Sequence, residues 1–480
     1  MARTRTIVLS AAGACALAAA FLASGGCDHP RDPATMPDVL LVSLDTLRAD
    51  RLSCYGNAHD TSPVIDALAA RGLRFADAMA PSGNTAPSHM SVLTGLHPLA
   101  HGVMNRDLDS TTLLALNEQV PTLAQVVAEA GWSTAAITQD GQLLEELGFG
   151  RGFETTDFVH DDFQGRIASL DRYLATQAPD RPQFVFLHTY EPHGPYLPPR
   201  SADFETFYGR YTDASYDGPF RTVTERLMAA PPGAKIATEQ LEAMDDPGPD
   251  DVRFLSDLYD ENVRWTDHLV GKLFDAWSLH RDMSNTIVVL FSDHGEQFME
   301  HGAFGHHGGL WQEIVHVPLV VAGPGVDRRV VAETVSLTGL PAALLALLDV
   351  DAPGEMEPAL GDLGAAPGEA VSRPGVAIQQ MLLRSRGVAF HGATDADGHY
   401  LEEVHEDGAT EFLFDRAADR AERANLLPGG DADALRRAVE LARTKSLAFA
   451  RAHPVQALGD GASEELRKQL ELLGYLGKDE

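Results

Sequence analysis

The feature that most constrains the fold is a strand-like apolar run that ends abruptly in residues able to bind a metal. Residues 285–292 read Asn-Thr-Ile-Val-Val-Leu-Phe-Ser, a β-branched and apolar pattern that predicts a buried strand. Asp293, His294 and Gly295 follow at once. Ligands of α/β sheets bind outside the carboxyl ends of the strands. The junction therefore predicts either a functional site or a strand end with a capping carboxylate and a surface imidazole.

The same pattern recurs at two other places in the chain. Residues 38–44 form a second apolar run, which ends in Asp45. Residues 184–187 form a third run, which is followed by His188, Glu191 and His193. Three strands that bring carboxylates and imidazoles to one edge of a sheet favour a shared site over independent strand-end caps.

Alternating strand-like and helix-like segments predict an α/β fold with a mainly parallel sheet covered by helices on both faces. The predicted strands are residues 38–44, 133–138, 184–187, 286–292 and 317–322. The predicted helices are residues 62–71, 121–130, 166–177, 251–277 and 340–348. The helix at 251–277 is the clearest of these, because its apolar residues fall on one helical stripe.

Composition divides the chain into segments of different character. Residues 1–27 have the basic start, apolar middle and small-residue end of a signal peptide. Cys27 after those small residues resembles a bacterial lipobox and predicts a lipid anchor, with plain secretion as the alternative. Either way we expect an exported protein, periplasmic or membrane-anchored. The other predicted segments are a tether (28–37), a catalytic domain (38–350) with an insertion (200–250), a linker (351–373) and a smaller C-terminal α+β subdomain (374–480).

The net charge of −33 limits the partners of the protein. It argues against nucleic acid and against an anionic membrane surface. An anionic substrate would need positive charge close to its binding site, which bound metal ions supply.

Residues 83–95 read Gly-Asn-Thr-Ala-Pro-Ser-His-Met-Ser-Val-Leu-Thr-Gly and form the second informative stretch. Pro87 suits the first turn of a helix. Thr85 would then lie at the helix N-terminus, where the positive dipole end and a metal would make its hydroxyl easier to deprotonate. The alternative is that Thr85 only caps the helix.

The spacing from Thr85 through Pro87, Ser88 and His89 to residues 93–95 is similar to the sulfatase signature. Other parts of the chain resemble further motifs of that family: Asp45 with 51–56, then 292–296, 300–302, 310–319, 414–415 and 425–426. The resemblance runs from about residue 38 to the C-terminus. It implies the three-layer α/β/α sandwich of the alkaline phosphatase superfamily and a metal-bound nucleophile.

The chain departs from the sulfatase pattern at residues that would perform the chemistry. Sulfatases carry Cys or Ser at the position of Thr85 and convert it to formylglycine, a conversion that threonine does not undergo. His89 replaces an Arg, Thr46 the second of two tandem Asp ligands, His294 an Asn, and His307 a catalytic Lys. Fewer oxygen ligands and more imidazole favour zinc or manganese, with calcium as the alternative. The pattern resembles the threonine-nucleophile branch, which includes phosphodiesterases and phosphoethanolamine transferases.

These features give a mechanistic hypothesis. We expect Asp45, Asp293, His294 and the Thr85 oxygen to bind one divalent cation. Thr85 would attack phosphorus or sulfur in line, and water would cleave the covalent intermediate. His89 is expected to orient Thr85 or the substrate.

Six further residues also have expected roles. His193 and His307 would contact the anionic oxygens of the ester or protonate the leaving group. His306 is an equal candidate for the role of His307, and would otherwise bind a second metal ion. Glu191 and His188 would either join that second site or be polar loop residues. His301 is expected to be structural.

The function that follows is hydrolysis of phosphate or sulfate esters, with phosphoesters favoured. The substrate would be a small-molecule, glycan-linked or lipid-linked anionic ester. The alternatives are transfer of a phosphoethanolamine-type group to an alcohol, and sulfate ester hydrolysis without formylglycine. Transfer is less favoured because no further apolar run has membrane-spanning length. A non-catalytic binding protein is less favoured because Asp45, Thr85, Asp293 and His294 are all present.

Overall fold

The computed structural model describes nine ranges of the chain: residues 35–105, 114–139, 141–159, 161–196, 206–229, 247–306, 308–366, 375–383 and 386–457. The predicted signal peptide with Cys27 lies outside these ranges, and so does His307. Most of the predicted tether and much of the predicted insertion also lie outside them.

The described chain alternates strands and helices up to residue 347 and then continues mainly as antiparallel strands. The strands are β1 (Asp38–Leu44), β2 (Leu73–Met79), β3 (Leu114–Ala115), β4 (Ser133–Thr138), β5 (Thr155–Phe158), β6 (Gln183–Thr189), β7 (Thr286–Phe291), β8 (Gln297–Phe298), β9 (Phe304–Gly305), β10 (His316–Ala322), β11 (Arg329–Val331), β12 (Val335–Ser336), β13 (Ala377–Leu383), β14 (Val388–Thr394), β15 (Gly398–His405), β16 (Gly408–Asp415) and β17 (Gln456–Ala457). The α-helices are α1 (Pro63–Ala69), α2 (Thr85–Thr94), α3 (Pro98–His101), α4 (Leu123–Glu129), α5 (Phe163–Leu174), α6 (Pro219–Ala229), α7 (Pro249–Ser278), α8 (Gln312–Val315), α9 (Leu340–Leu347) and α10 (Asp433–Ala452).

Nine strands form the central sheet in the order β11-β2-β10-β7-β1-β6-β4-β5, with β12 also paired to β2. Strand β1 lies between β6 and β7 and is parallel to both, so that Ser43 is level with His188 and Phe291. Only β10 runs antiparallel to its neighbours, β7 and β2. The carboxyl ends of β1, β6 and β7 therefore meet at one edge of the sheet.

Helices cover both faces of this sheet. Consecutive residues of a strand point to opposite faces, so each face presents apolar side chains that helices bury. Val39 and Leu41 of β1 pack in a core with α2, α4 and α9. Leu40 and Val42 pack in a second core with α1, α5 and α7. The predicted three-layer α/β/α sandwich with a mostly parallel sheet is confirmed.

The smaller C-terminal subdomain is built on an antiparallel sheet, β13-β14-β15-β16. One face packs against α10 through Leu435 and Val439. The other face packs against the first domain, where Ile314 of α8 joins the same core as Met381 and Phe414. The expected α+β subdomain is thus present and is packed directly against the segment that follows β9.

Three segments illustrate how the structure differs from the sequence-based expectations. Strand β2 was not predicted, because Arg74 and Asp77 interrupt its apolar residues and several of its positions are only half-buried. Helix α6 lies within the segment expected to be an irregular insertion. Residues 351–366 of the expected linker bury Met356 and Leu360 in the main core, so this part of the chain is packed. Among the described helices, none is long and apolar enough to cross a bilayer.

Candidate active site

The carboxyl ends of β1 and β7 bring three buried side chains together. Asp45, Asp293 and His294 each offer a ligand atom, and these atoms lie within 4.8 Å of one another. His294 Nε2 is 3.4 Å from Asp293 Oδ2 and 3.9 Å from Asp45 Oδ1. All three side chains have 0% exposure. The sequence-based grouping of these residues at one sheet edge is therefore what the structure shows.

The hydrogen bonding of the two carboxylates fits a divalent cation. Both oxygens of Asp45 and Oδ2 of Asp293 are buried without a hydrogen-bond partner among the described residues. Burial raises the pKa of Asp45 well above its usual value, and the charges of Asp293 and Glu296 raise it further. Burial also raises the pKa of Asp293 to about 6. Uncompensated buried carboxylates are costly, whereas a cation between them would satisfy their charge.

His294 presents a lone pair to this cluster. Its Nδ1 lies 3.0 Å from the carbonyl oxygen of Gly295, which can only accept, so Nδ1 carries the proton. Burial lowers the pKa of His294 to about 4, which keeps the imidazole neutral at pH 7. Gly295 is required here because a Cβ would lie 2.1 Å from the Glu313 carbonyl oxygen. The close contact with α8 fixes the loop that carries His294.

Thr85 lies beside the cluster at the first position of α2. Asn84 is the N-cap, so Thr85 does not serve as the cap itself. The Thr85 hydroxyl oxygen lies 3.4 Å from His294 Nε2, and the residue is 2% exposed. Asn105 caps the next residue by accepting a hydrogen bond from Ala86 N at 2.8 Å. The Thr85 hydroxyl therefore faces the carboxylates and the imidazole instead of the helix backbone.

His89 lies behind Thr85, one turn further along α2. Its Nδ1 donates to the Thr85 carbonyl oxygen at 2.8 Å, and its Nε2 accepts from the Ser43 hydroxyl at 2.7 Å. Burial lowers its pKa. The same Nδ1 is 3.5 Å from Asp293 Oδ2. The contact with Thr85 is consistent with the expected orienting role of His89.

Two further histidines line the site. The ring centroid of His306 is 4.4 Å from that of His294 and 5.3 Å from that of His193. His306 Nδ1 is 3.0 Å from Glu296 Oε1, and His193 Nδ1 donates to the Gly194 carbonyl oxygen at 3.0 Å. Neither histidine belongs to the three-ligand group, which is the one such group among the described residues. A second metal at His306 stays a prediction, as does the role of His307.

The remaining residues singled out in the sequence have other partners. Glu191 accepts a hydrogen bond from Phe163 N at the start of α5 and one from the Thr189 hydroxyl. His188 is fully buried, with Nε2 at 3.7 Å from Asp45 Oδ2. His301 stacks on Trp311 with ring centroids 3.9 Å apart, away from the three-ligand group. Glu191 and His301 thus have local structural contacts, whereas His188 lies against the ligand cluster.

Sequence reasoning missed two residues that hold the site loops. Arg48 donates to the Glu296 carbonyl oxygen at 2.9 Å and to Glu300 Oε1 at 2.6 Å. Tyr259 of α7 donates to the Thr46 carbonyl oxygen at 2.7 Å, next to Asp45, and Thr46 has a positive φ of 55°. These pairs are separated by more than 200 residues of sequence. No local pattern could have identified them.

A three-layer α/β/α fold with a buried carboxylate and imidazole cluster beside a helix-terminal hydroxyl is the arrangement expected of an ester hydrolase of the alkaline phosphatase superfamily. Residues 37–350 match the family model described as Sulfatase. The chain belongs to the sulfatase family, whose members hydrolyse esters.

Two relatives found by sequence agree with this assignment. The chain is 24% identical over 362 residues to an uncharacterized sulfatase, YidJ, of Escherichia coli K12, covering 66% of this chain and 69% of that protein. It is 25% identical over 448 residues to a sulfatase of Formosa agariphila, covering 81% and 82% of the two chains.

Solved structures show the same fold. A 2-O GAG sulfatase aligns with a TM-score of 0.65 and 18% identity, covering 89% of this chain and 96% of its own. The phosphonate monoester hydrolase of Agrobacterium radiobacter aligns with a TM-score of 0.64 and 19% identity, covering 88% and 97%. The fold is therefore shared by proteins named for sulfate and for phosphonate esters.

Proposed function

We propose that this protein is a metal-dependent hydrolase of phosphate esters in which unmodified Thr85 is the nucleophile. The observation that carries the proposal is the position of the Thr85 hydroxyl, 3.4 Å from His294 Nε2 at the start of α2. Asp45 Oδ1 and Asp293 Oδ2, which have no hydrogen-bond partner within the described ranges, lie 3.9 and 3.4 Å from Nε2 of the same imidazole. This arrangement supports a nucleophile placed beside a cation site.

The chain's own residues prepare Thr85 for attack. A divalent cation at Asp45, Asp293, His294 and Thr85, with zinc or manganese favoured, would supply positive charge that lowers the pKa of the hydroxyl and neutralises the ester. The N-terminal end of α2 adds its positive dipole end at the same position. His89 holds the Thr85 carbonyl and so limits rotation of this residue. These contacts hold the backbone of Thr85 beside the cation site.

The reaction consists of two displacements at phosphorus. In the first, the bond from Thr85 Oγ1 to phosphorus forms, and the bond to the leaving alcohol oxygen breaks. The hydroxyl proton passes to water, and the leaving oxygen takes up a proton. In the second, a water molecule attacks phosphorus, the bond to Oγ1 breaks, and the Thr85 hydroxyl is restored.

The preference for phosphorus over sulfur depends on Thr85 and not on the fold. The same fold occurs in proteins named for sulfate and for phosphonate esters. An unmodified threonine cannot become the formylglycine of the sulfatases that this chain resembles. Its covalent ester can be broken only by attack of water on the central atom, which is the ordinary course of phosphoester hydrolysis. A sulfate ester hydrolase without formylglycine is the alternative within this mechanism.

His193 is placed to interact with the anionic ester. Burial lowers its pKa to about 4, so the free enzyme holds a neutral imidazole at pH 7. An anionic ester beside the ring would raise this pKa, because a nearby negative charge favours the protonated form. We infer that His193 contacts the anionic oxygens of the ester. The protonated ring could also give its proton to the leaving alcohol, so leaving-group protonation stays the alternative role.

The substrate class and the location of the protein complete the proposal. The substrate is an anionic small-molecule, glycan-linked or lipid-linked ester, and part of the segment at 200–250 would shape its pocket. The protein is exported through residues 1–27, and Cys27 carries a lipid. Mass spectrometry of the N-terminal peptide of the mature protein tests this directly. A peptide that begins after Cys27 and carries no lipid would indicate plain secretion.

The central experiment combines metal analysis with a substrate panel of aryl phosphate monoesters, diesters, phosphonates and sulfates. We expect turnover of a phosphorus ester and loss of about 10⁴-fold or more of it in Thr85→Ala. Thr94→Ala is the matched control, since its hydroxyl donates to the Met90 carbonyl and accepts from Leu96 N at the other end of α2. Dominant sulfate turnover would reverse the ranking of substrates. Faster product formation on adding glycerol, with glycerol phosphate as the product, would favour transfer over hydrolysis.

A further inference from the structure

A buried imidazole with no hydrogen-bond partner among the described residues lies directly behind the ligand cluster. His188 is the sixth residue of β6 and is 0% exposed. Neither Nδ1 nor Nε2 has a hydrogen-bond partner in the described part of the chain. Polar groups are costly to bury unpaired, so a fully buried histidine of this kind needs a physical explanation.

The carboxylate of Asp45 lies between two imidazoles. Its Oδ1 is 3.9 Å from His294 Nε2, and its Oδ2 is 3.7 Å from His188 Nε2. One oxygen therefore faces the three-ligand group and the other faces His188. The second separation exceeds the length of a hydrogen bond by about 0.5 Å, which a small change in the side-chain torsions of Asp45 removes.

His89 is the corresponding imidazole neighbour of Asp293. It cannot replace His188 as a hydrogen-bond donor to Asp45. His89 Nδ1 is 3.5 Å from Asp293 Oδ2, but its proton already binds the Thr85 carbonyl. The rings of His89 and His188 meet edge to face, with centroids 4.6 Å apart. His89 is thus committed to Thr85, and His188 is the imidazole available to donate to Asp45.

We propose that His188 is a positioning residue for Asp45, whose Oδ2 accepts a hydrogen bond from His188 Nε2 while Oδ1 is held toward the cation site. This inference rests on the proposed metal-dependent function. His188 acts through Asp45 and is not itself a ligand, because it does not belong to the group whose ligand atoms all lie within 4.8 Å of one another. Partners that orient metal ligands in this way typically contribute 10–100-fold to metal affinity.

The register of the sheet supports a fixed position for His188. It pairs with Ser43 across β1 and with Thr138 across β4, so its backbone is held on both sides. Ser43 also donates to His89. A side chain of different shape at position 188 would therefore change the contact with Asp45 without moving the strand.

The test compares His188→Gln, His188→Asn and His188→Leu. The amide nitrogen of Gln reaches about as far as Nε2, whereas that of Asn reaches only as far as Nδ1. We expect the Leu and Asn variants to bind Zn²⁺ about 10–100-fold more weakly in competition with a chelator. We expect the Gln variant to stay within a few-fold of the wild type. The visible spectrum of the Co²⁺-loaded protein should keep its ligand-field pattern in the Gln variant and change in the Leu variant.

His316→Gln is the matched control, because His316 is also buried in the central sheet but bonds the Ala76 carbonyl. It should bind Zn²⁺ like the wild type. Wild-type affinity in His188→Leu, or equal losses in the Gln and Leu variants, would overturn the proposal. Loss of a nitrogen ligand from the Co²⁺ spectrum would overturn it too, by making His188 a ligand. If His188→Leu does not fold, the Gln and Asn pair still decides.

Failure of the proposed function looks different from failure of the His188 proposal. If the wild type takes up no Zn²⁺, both are overturned. If it binds Zn²⁺ but Thr85→Ala keeps its turnover, the nucleophile assignment fails and the His188 comparison still stands. If metal uptake and Thr85 dependence hold while the His188 variants bind normally, only the positioning role is wrong.

Discussion

Two buried clusters of histidines and carboxylates in this protein have the same residue types but different hydrogen bonding. The active-site cluster is Asp45, Asp293 and His294. The second, which we call the junction cluster, is His301, Glu313, His399 and Glu422, and it joins the first domain to the C-terminal subdomain. In the junction cluster His301 Nδ1 is 2.7 Å from Glu313 Oε1, and Glu422 bonds both His399 and the Gln312 backbone N–H.

The difference between the clusters lies in whether the carboxylates already have partners. In the active-site cluster the nitrogen-to-oxygen separations from His294 are 3.4 and 3.9 Å, and three carboxylate oxygens have no hydrogen-bond partner among the described residues. In the junction cluster, Glu313 also accepts from Gln297 at 2.9 Å. Composition alone therefore does not identify a metal site. Within the described ranges, what separates the two clusters is the open carboxylate oxygens at the strand ends, which a cation could bind.

The largest effect expected from this comparison is that of Asp293→Asn. The change keeps the shape of the side chain but removes a charge from the cation site. We expect metal affinity to fall by at least about 100-fold and turnover to fall with it, since even partners of metal ligands contribute up to that amount. Metal content after dialysis and steady-state kinetics measure both quantities. Glu313→Gln, the matching change in the junction cluster, should leave metal content unaltered, and full metal retention in Asp293→Asn would contradict the assignment.

The sequence predicted the part of the active site that depends on strand ends. Asp45, His188 and Asp293 each follow or end an apolar run, and parallel strands bring such positions to one edge of a sheet. The bounds of β1 and β4 were also predicted to the residue. Thr85 required more than local pattern. A threonine before a helix is ordinarily a cap, and only the resemblance to the sulfatase signature made it a candidate nucleophile.

Features that depend on distant contacts could not be predicted. Strand β2 carries charged residues, and its pairing with β10 joins positions more than 200 residues apart. The bond from Arg48 to Glu296 spans 248 residues. His301 was expected to be structural, but its partner Glu422 lies in the C-terminal subdomain and has no local signal. Contacts of this kind are set by tertiary packing and leave no periodic pattern in the sequence.

A smaller effect is expected when the junction cluster is broken. Glu422→Gln removes the charged acceptor that binds His399 and the Gln312 N–H. We expect the free energy of unfolding to fall by about 1–3 kcal/mol, because the amide keeps an acceptor oxygen for only one of the two buried partners and turns an NH₂ group toward the other. Urea denaturation measures this loss, and Zn²⁺ affinity should not change. Glu440→Gln on the exposed side of α10 is the control and should shift stability by less than about 0.5 kcal/mol. A Glu422→Gln protein that loses metal instead of stability would remove the distinction between the clusters.

The smallest effect concerns pH, because the two clusters shift histidine pKa values in opposite directions. Burial lowers the pKa of His294 to about 4. Burial also acts to lower the pKa of His301, but the hydrogen bond and charge of Glu313 outweigh it, and that pKa is raised. A raised histidine pKa gives stability that is complete below the unfolded value of about 6.5 and is lost as pH rises through the folded value. The wild type should therefore lose more stability than His301→Gln above about pH 6.5. Thermal unfolding midpoints measured across that range check this, and parallel curves for the two proteins would show that Glu313 does not stabilise a protonated His301.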